Sequence, residues 1–377
     1  MKNDEKSWEK LTVLEADVCV VGAGPGGALL SYLLAQANIS TILLERHQEI
    51  NKEFRGEHLN EEGIAVLKKA GLFVSLEKMG ILPMKRVEYI DRGKVFKTIL
   101  PEEGINHTGI HVPQNHLLKV ILASAHHFPS FHLKMNAKVV DLIADKVDGY
   151  SGVIALIDGK ETVIRSKVII GADGRFSTIR KKAVFPVIPI RHGYDLLWAK
   201  IPAPKNWEAT VRMALANDSQ LALFTQYGGY IQIGWSIKEN SFPNIRKGSF
   251  QSFINSLVEA FPELEKTVSE HIQSWQDFIL LKVESSKSAT WVKQNVVLLG
   301  DAAHTMSPTG AFGLNSSLKD AEVLATVISA VLLEHEPLSY LQEYENIRKD
   351  PVEKIQLEQL KRESGFKGHF ALKNEME

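Results

Sequence analysis

Three short apolar runs in the chain are each followed at once by glycine. Residues 17–21, DVCVV, lead into Gly22; residues 168–170, VII, lead into Gly171; residues 296–299, VVLL, lead into Gly300. A short apolar run bounded by turn formers reads as a buried strand. After the first run, residues 28–38, ALLSYLLAQAN, are apolar on most faces, as in a buried helix. Residues 41–45, TILLE, supply a second strand. Strand, glycine-rich turn, helix and strand make one parallel unit of about 30 residues.

The pattern continues with further elements. Residues 59–80 read as helical, with Leu59, Ile64, Leu67 and Leu72 in phase. Residues 86–100 read as a hairpin about Asp91-Arg92-Gly93, and residues 111–127 as a turn leading into a helix. Residues 132–145 and 152–173 supply strands that turn at Asp158-Gly159. The character changes over 185–282. Residues 221–237, LALFTQYGGYIQIGWSI, alternate and turn at Gly228-Gly229, so they read as paired strands; residues 249–261 form an amphipathic helix. A long helix starts near Asn315. The charged tail from Pro337 is helical in pattern and is expected to pack on the outside.

Composition narrows the class without choosing within it. Of 377 residues, 44% are hydrophobic and 24% charged, the balance of an ordinary globular protein. The net charge of -1 provides no electrostatic footprint for nucleic acid or an anionic membrane. The single cysteine, Cys19, excludes an intrachain disulfide and, within VCVV, reads as a buried inert thiol. The charged start MKNDEKSWEKL has no signal-peptide pattern, and no apolar run is long enough to span a membrane. The expected location is the cytoplasm.

The chemistry sits at the glycine turns. Gly22, Gly24 and Gly27 occupy the GxGxxG positions between a strand and a helix, with Pro25 and Gly26 between them. Gly22 suits a tight turn, Gly24 lets a pyrophosphate approach the backbone, and Gly27 lets helix and strand pack closely. The helix N-terminus offers free N–H groups and a positive dipole end. Glu45 closes the second strand, where a carboxylate can accept hydrogen bonds from both ribose hydroxyls. Because a strand-rich insert separates the first unit from the last, the dinucleotide-binding domain is discontinuous. It takes in 13–85, 109–183 and 283–334; a substrate domain takes 86–108 and 184–282, and C-terminal helices occupy 335–377.

Two later stretches choose the nucleotide. Residues 168–180, VIIGADGRFSTIR, and residues 295–321, NVVLLGDAAHTMSPTGAFGLNSSLKDA, resemble the DG and GD motifs of flavoprotein monooxygenases related to para-hydroxybenzoate hydroxylase. Gly313-Leu314-Asn315 to Asp320-Ala321 resembles the GxNxxxxDA signature of that group, and residues 341–351, LQEYENIRKDP, its LxxYexxRxP helix. The matches run from about residue 15 to residue 351. The implied fold is α/β: a Rossmann-type FAD-binding domain, an inserted and mainly β substrate domain, and a C-terminal helical segment.

The resemblance also implies site residues. Asp301 would bond the ribityl chain of FAD, and Gly313, Leu314 and Asn315 would turn backbone N–H groups toward the pyrimidine edge of the ring. Gln114 matches a position near the FAD phosphates. Arg55 matches an arginine along the cofactor, with Arg46 also placed beside it. Asp173 and Arg180 match positions linked to FAD and pyridine-nucleotide contacts. Pro308 matches a proline whose neighbourhood faces the flavin; with Gly310 and Arg55 it is assigned to the reacting edge. Simpler readings stay open: Asp301 as a helix cap, Asp173 as a turn residue, Arg55 as a surface charge. His304 reads as structural, and His107, His111 and His116 lack a metal-binding spacing.

The implied reaction is monooxygenation. NAD(P)H reduces FAD, O2 adds to give a flavin hydroperoxide, and its distal oxygen hydroxylates or epoxidises a small aromatic substrate. Phe224, Tyr227, Gln232 and Trp235 are the substrate candidates in the insert. A halogenase on the same scaffold would carry WxWxIP, whereas the closest stretch here is Gly234-Trp235-Ser236-Ile237. A prenyl-chain reductase and a non-catalytic flavin-binding protein also stay open as readings of the same scaffold.

Overall fold

The computed structural model describes residues 11–50, 56–145, 149–216 and 219–366. Its first sheet brings the three apolar runs side by side. Strand Lys160–Gly171 lies between Thr12–Val21 and Val296–Leu298, and Thr41–Leu44 and Phe131–Lys134 extend the sheet beyond Thr12–Val21. These five strands are parallel. In register, Val21 stands beside Gly171 and Gly171 beside Leu298, so all three glycine turns leave from one edge. Val18, Cys19 and Val20 are fully buried, which is why the run shows no polar alternation. Burial pushes the Cys19 thiol up to about 12, leaving it un-ionised and inert. Helix Pro25–Gln36 packs against Phe312–Leu333 and Gln114–Ala125 over this sheet.

The second sheet has eight strands, in the order His304–Thr305, Ile279–Ser288, Val187–Pro202, Tyr230–Lys238, Ser219–Gln226, Thr210–Ala216, Arg86–Asp91 and Lys94–Ile99. One face packs on helices Phe250–Ala260 and Glu265–His271, with Leu197, Leu221, Ile233 and Trp235 in that core. The opposite face carries Tyr194, Trp198, Phe224, Gln226 and Gln232 by the alternation of side chains along strands. This sheet crosses the expected domain boundary: Ile279–Ser288 runs past residue 283, and His304–Thr305 joins from within the first domain's segment. A third, small sheet joins Gly56–Leu59, Ile110–Pro113 and Leu82–Pro83.

Two expectations change. The helix read over 59–80 is a strand end at Leu59 followed by two helices, Glu61–Lys69 and Phe73–Met79, interrupted at Gly71, whose φ is +73°. The Asn60 side chain caps the first of them by accepting from the Gly63 N–H. The C-terminal helix Gln342–Gly365 is not an outer decoration. Tyr344, Arg348, Val352, Gln356 and Gln359 are buried along it. Its inward side chains are largely polar and hydrogen-bond to the backbone of strands Ile279–Ser288 and His304–Thr305 and of the loop at Ser307, so a hydropathy pattern hides the buried face. Among the described residues no helix is long and apolar enough to cross a membrane.

Candidate functional site

The first turn is built as its glycines require. Gly22 has φ +107°, and a Cβ there would stand 2.4 Å from the Ala172 carbonyl oxygen. A Cβ on Gly27 would stand 2.1 Å from the Gly22 oxygen, and one on Gly26 would lie 2.2 Å from Ser317 Oγ. Strand end, helix and the neighbouring turns are thus in close contact. Gly24 differs: a Cβ there would meet no atom within 4 Å, so this backbone faces open space. It is also the N-cap of Pro25–Gln36, and no side chain caps that helix. The arrangement fits a pyrophosphate lying against uncapped N–H groups.

Glu45 is buried directly after Thr41–Leu44. Its Oε2 accepts from the Ala23 N–H at 3.0 Å, and its Oε1 accepts from the His47 N–H at 3.0 Å. The carboxylate therefore pins the glycine turn to the second strand at the edge where a ribose would sit. Arg46 beside it is exposed. Gln114 is buried and opens helix Gln114–Ala125. Arg55 lies outside the described residues.

The other two turns are joined by one guanidinium. Arg180 donates to the carbonyl oxygens of Ala302 at 2.8 Å, Asp301 at 3.4 Å and Arg175 at 2.5 Å. This ties the second glycine turn to the third. The Asp173 carboxylate accepts from Ser177 Oγ and from the Thr178 N–H, at the start of helix Thr178–Lys182. The turn-residue reading of Asp173 is thus the one its bonds support: its oxygens are taken up by local donors. Arg180 likewise spends its hydrogen bonds within the chain. Asp301, in the turn Gly300–Ala302, is half-buried, and among the described residues its carboxylate has no hydrogen-bond donor. That leaves it able to accept from a ligand hydroxyl.

Beneath these turns lies a buried charge, the acid of the GxNxxxxDA signature, to which the sequence alone assigned no role. Asp320, on helix Phe312–Leu333, is fully buried. Its Oδ2 contacts His304 Nε2 at 2.6 Å and accepts from the Gly300 N–H at 3.3 Å, while Oδ1 accepts from Arg348 Nε at 2.8 Å. Burial alone would raise the Asp320 carboxyl, but His304 and Arg348 together hold it below its ordinary value. His304 is accordingly structural. The signal available in the sequence was its place in that signature, although Lys319 and Glu322 beside it make it look like one more surface charge.

The helix Phe312–Leu333 starts after Ala311, which sits in the left-handed region at φ +54°, and no side chain caps its first turn. Gly313, Leu314 and Asn315 form that turn. The Asn315 side chain is committed elsewhere: Nδ2 donates to the His58 and Ala311 oxygens at 2.9 Å, and Oδ1 accepts from the Asn60 N–H at 3.0 Å. It fastens strand Gly56–Leu59 beside the turn and leaves only backbone N–H groups to face a ligand. Pro308 and Gly310 belong to the loop just before the helix. Gly310 has φ +75°, and a Cβ there would drive into the Phe312 ring at 2.4 Å.

The substrate candidates divide by strand parity. Phe224 and Gln232 are register partners on the sheet face that also carries Tyr194, whose hydroxyl lies 2.9 Å from Thr309 Oγ1. Gln232 Oε1 accepts from Gln226 Nε2 at 2.5 Å. Trp235 is a correction. It is 1% exposed on the opposite face and stacks on Phe253 with ring centroids 3.8 Å apart, so it belongs to the second core. Tyr227 packs at the turn between the two halves: its N–H donates to His111 Nδ1 at 3.1 Å and its ring meets that of His116. Burial lowers His111 to about 3, so it stays neutral.

Comparison with known proteins agrees with this geometry. A family model described as FAD binding domain matches residues 15–358. The 6-methylpretetramide 4-monooxygenase of Streptomyces rimosus is 31% identical over 310 residues, covering 81% of this chain and 73% of that protein. The 6-hydroxynicotinate 3-monooxygenase of Bordetella bronchiseptica is 22% identical, covering 90% of this chain and 89% of that one. In fold, the chain is similar to P. aeruginosa PqsL solved with 2-aminobenzoylacetate. The TM-score is 0.81 at 18% identity, over 93% of this chain and 96% of that one. Sheet edge, glycine turns, uncapped helices and these matches lead to one statement: this chain belongs to the FAD binding domain family and is an FAD-dependent monooxygenase.

Proposed function

We propose that the chain hydroxylates a small aromatic substrate, taking electrons from NAD(P)H and the oxygen atom from O2, on the sheet face that carries Phe224 and Gln232. The observation behind this reading is the meeting of three glycine turns and the uncapped start of Phe312–Leu333 at one edge, beside a partly polar sheet face. Bound FAD supplies the electron transfer and the activation of oxygen. The chain supplies position and electrostatics. Glu45 accepts from the ribose hydroxyls, and the backbone from Gly24 to Gly27 holds the pyrophosphate. Asp301 accepts from the ribityl chain. The N–H groups of Gly313, Leu314 and Asn315 support negative charge at the pyrimidine edge. Pro308 and Gly310 wall the reacting side and keep water out.

Phe224 and Trp198, whose ring centroids lie 6.2 Å apart, form an apolar platform for an aromatic ring, and the Gln226–Gln232 pair offers hydrogen bonds at its rim. Relatives with this scaffold carry names that specify a pretetramide, a hydroxynicotinate, a nitrophenol and a hydroxybenzoate. That range is consistent with our reading that the insert chooses the ring. The test is a screen of phenols and heteroaromatics for faster NAD(P)H oxidation by the FAD-loaded chain, under isotopically labelled O2. The expected product carries one labelled oxygen. Turnover that requires halide, or a product that gains hydrogen and no oxygen, overturns the reading.

A further inference from the structure

The loop before Phe312–Leu333 is held from behind by the C-terminal helix. Gln359 Nε2 donates to the Ser307 and Thr309 carbonyl oxygens at 2.8 and 2.6 Å, one on each side of Pro308. One turn later, Glu363 Oε1 accepts from Ser307 Oγ at 2.7 Å and from the Tyr194 hydroxyl at 3.1 Å. Tyr194 also meets Thr309 Oγ1, so it links the substrate sheet to the same loop. Behind Glu363 stands His192, whose side chain is 1% exposed; its Nδ1 donates to Oε2 at 2.6 Å, and its Nε2 meets Ser285 Oγ at 2.5 Å. Both oxygens of one buried carboxylate are therefore fixed, Oε2 by the sheet alone and Oε1 by the sheet and the loop together. The Glu363 carboxyl is held below its ordinary value: burial opposes this, and hydrogen bonds from His192, Ser307 and Thr309 outweigh it.

Gln359 and Glu363 from the helix and Tyr194 from the sheet thus converge on a single short loop, residues 307–311. Away from this junction the helix is docked through Tyr344 and Val352, both fully buried, and through Arg348 on Asp320. The stretch matched by the family model ends at residue 358, just before Gln359 and Glu363. What the junction does fix is where Pro308 and Gly310 stand relative to the first turn of Phe312–Leu333.

We propose that Glu363 is a positioning residue: anchored by His192, it uses Ser307 and Tyr194 to set the distance between the Pro308–Gly310 loop and bound FAD. The inference rests on the flavin reading of that loop. Hydrogen-bond geometry at Oε1 carries the effect, and the charge does not. A glutamine at 363 can still accept from Ser307 and Tyr194 through its carbonyl oxygen. Its amide can donate to His192 Nδ1, with His192 then donating to Ser285.

The experiment compares wild type, Glu363→Ala, Glu363→Gln and Ser307→Ala as full chains loaded with FAD. It reads FAD affinity by fluorescence titration, the absorption spectrum of bound FAD, and the melting temperature. Glu363→Ala, which removes the bonds to Ser307, Tyr194 and His192, is expected to shift the bound-FAD spectrum and weaken FAD by about tenfold. Glu363→Gln is expected to match wild type in both. If Glu363→Ala fails to fold, Ser307→Ala removes one of the same bonds by deleting a single oxygen, and a smaller shift of the same sign is expected. A spectrum and affinity equal to wild type in the folded Ala variants, even with a lower melting temperature, overturns the proposal. A Glu363→Gln variant as disturbed as Glu363→Ala overturns it too. A wild-type chain that holds no FAD would instead sink the flavin reading itself, so the two failures are distinct.

Discussion

At the scale of single residues, the fold depends on one buried acid. Asp320 joins the third glycine turn, through the Gly300 N–H and His304, to the C-terminal helix through Arg348. Replacing it by asparagine leaves a buried guanidinium without its counter-charge, a change that costs about 3–5 kcal/mol. Denaturant unfolding at neutral pH is expected to show that loss. The same residue sets a pH dependence. Its folded pKa is below the unfolded value of about 3.9, so its stabilisation is complete above that pH and is lost as pH falls through the folded value. Acid unfolding of wild type should therefore steepen below about pH 4, and Asp320→Asn should lack that component. Asp301 is the contrasting case. Its carboxylate has no donor among the described residues, so Asp301→Ala should leave the melting temperature of the apoprotein unchanged and weaken FAD by about tenfold, the value of one hydrogen bond to a charged group. Fluorescence titration beside a melting curve separates the two effects.

At the scale of elements, the chain shows clearly which parts of a fold can be read from sequence. The strand–turn–helix unit at Gly22 is legible because every constraint on it is local: a strand buried on both faces, a glycine whose φ is +107°, and a helix within a few residues. The hairpin at Gly228-Gly229 is legible for the same reason. The face of a strand is not. Trp235 and Gln232 are three positions apart and so point to opposite sides, yet both sides of Tyr230–Lys238 are covered, and alternation cannot say which side meets the site. Asp173 and Asn315 occupy motif positions, but their side chains turn to donors and acceptors that only the folded turns bring near. The buried polar face of Gln342–Gly365 escaped because its partners are backbone oxygens about fifty residues away. Parity also gives a test. Trp235→Ala should lose about 3–5 kcal/mol by opening the stack on Phe253, while FAD affinity stays unchanged. A Trp235→Ala chain that kept its stability and lost substrate binding would return this tryptophan to the site.

At the scale of the whole molecule, two sheets and a closing helix make one cofactor site from separated segments. Because FAD binds only the folded arrangement, it should stabilise the chain by mass action, about 2.7 kcal/mol when free FAD is a hundred times its dissociation constant. Melting temperature measured against FAD concentration should rise accordingly, and a flat curve would contradict a site that exists only in the native state. The Asp320–Arg348 link carries a consequence for how the protein is made. The dinucleotide turn at Gly22 precedes its partners in the chain: Thr12–Val21 is flanked on one side alone until Lys160–Gly171 is translated, and Asp320, which takes the Gly300 N–H, lacks its counter-charge until residue 348 has followed it. Vitamin-derived coenzyme is then expected to be captured only after Gln342–Gly365 has been translated. Nascent chains stalled before that helix should emerge unpigmented and vulnerable to proteases.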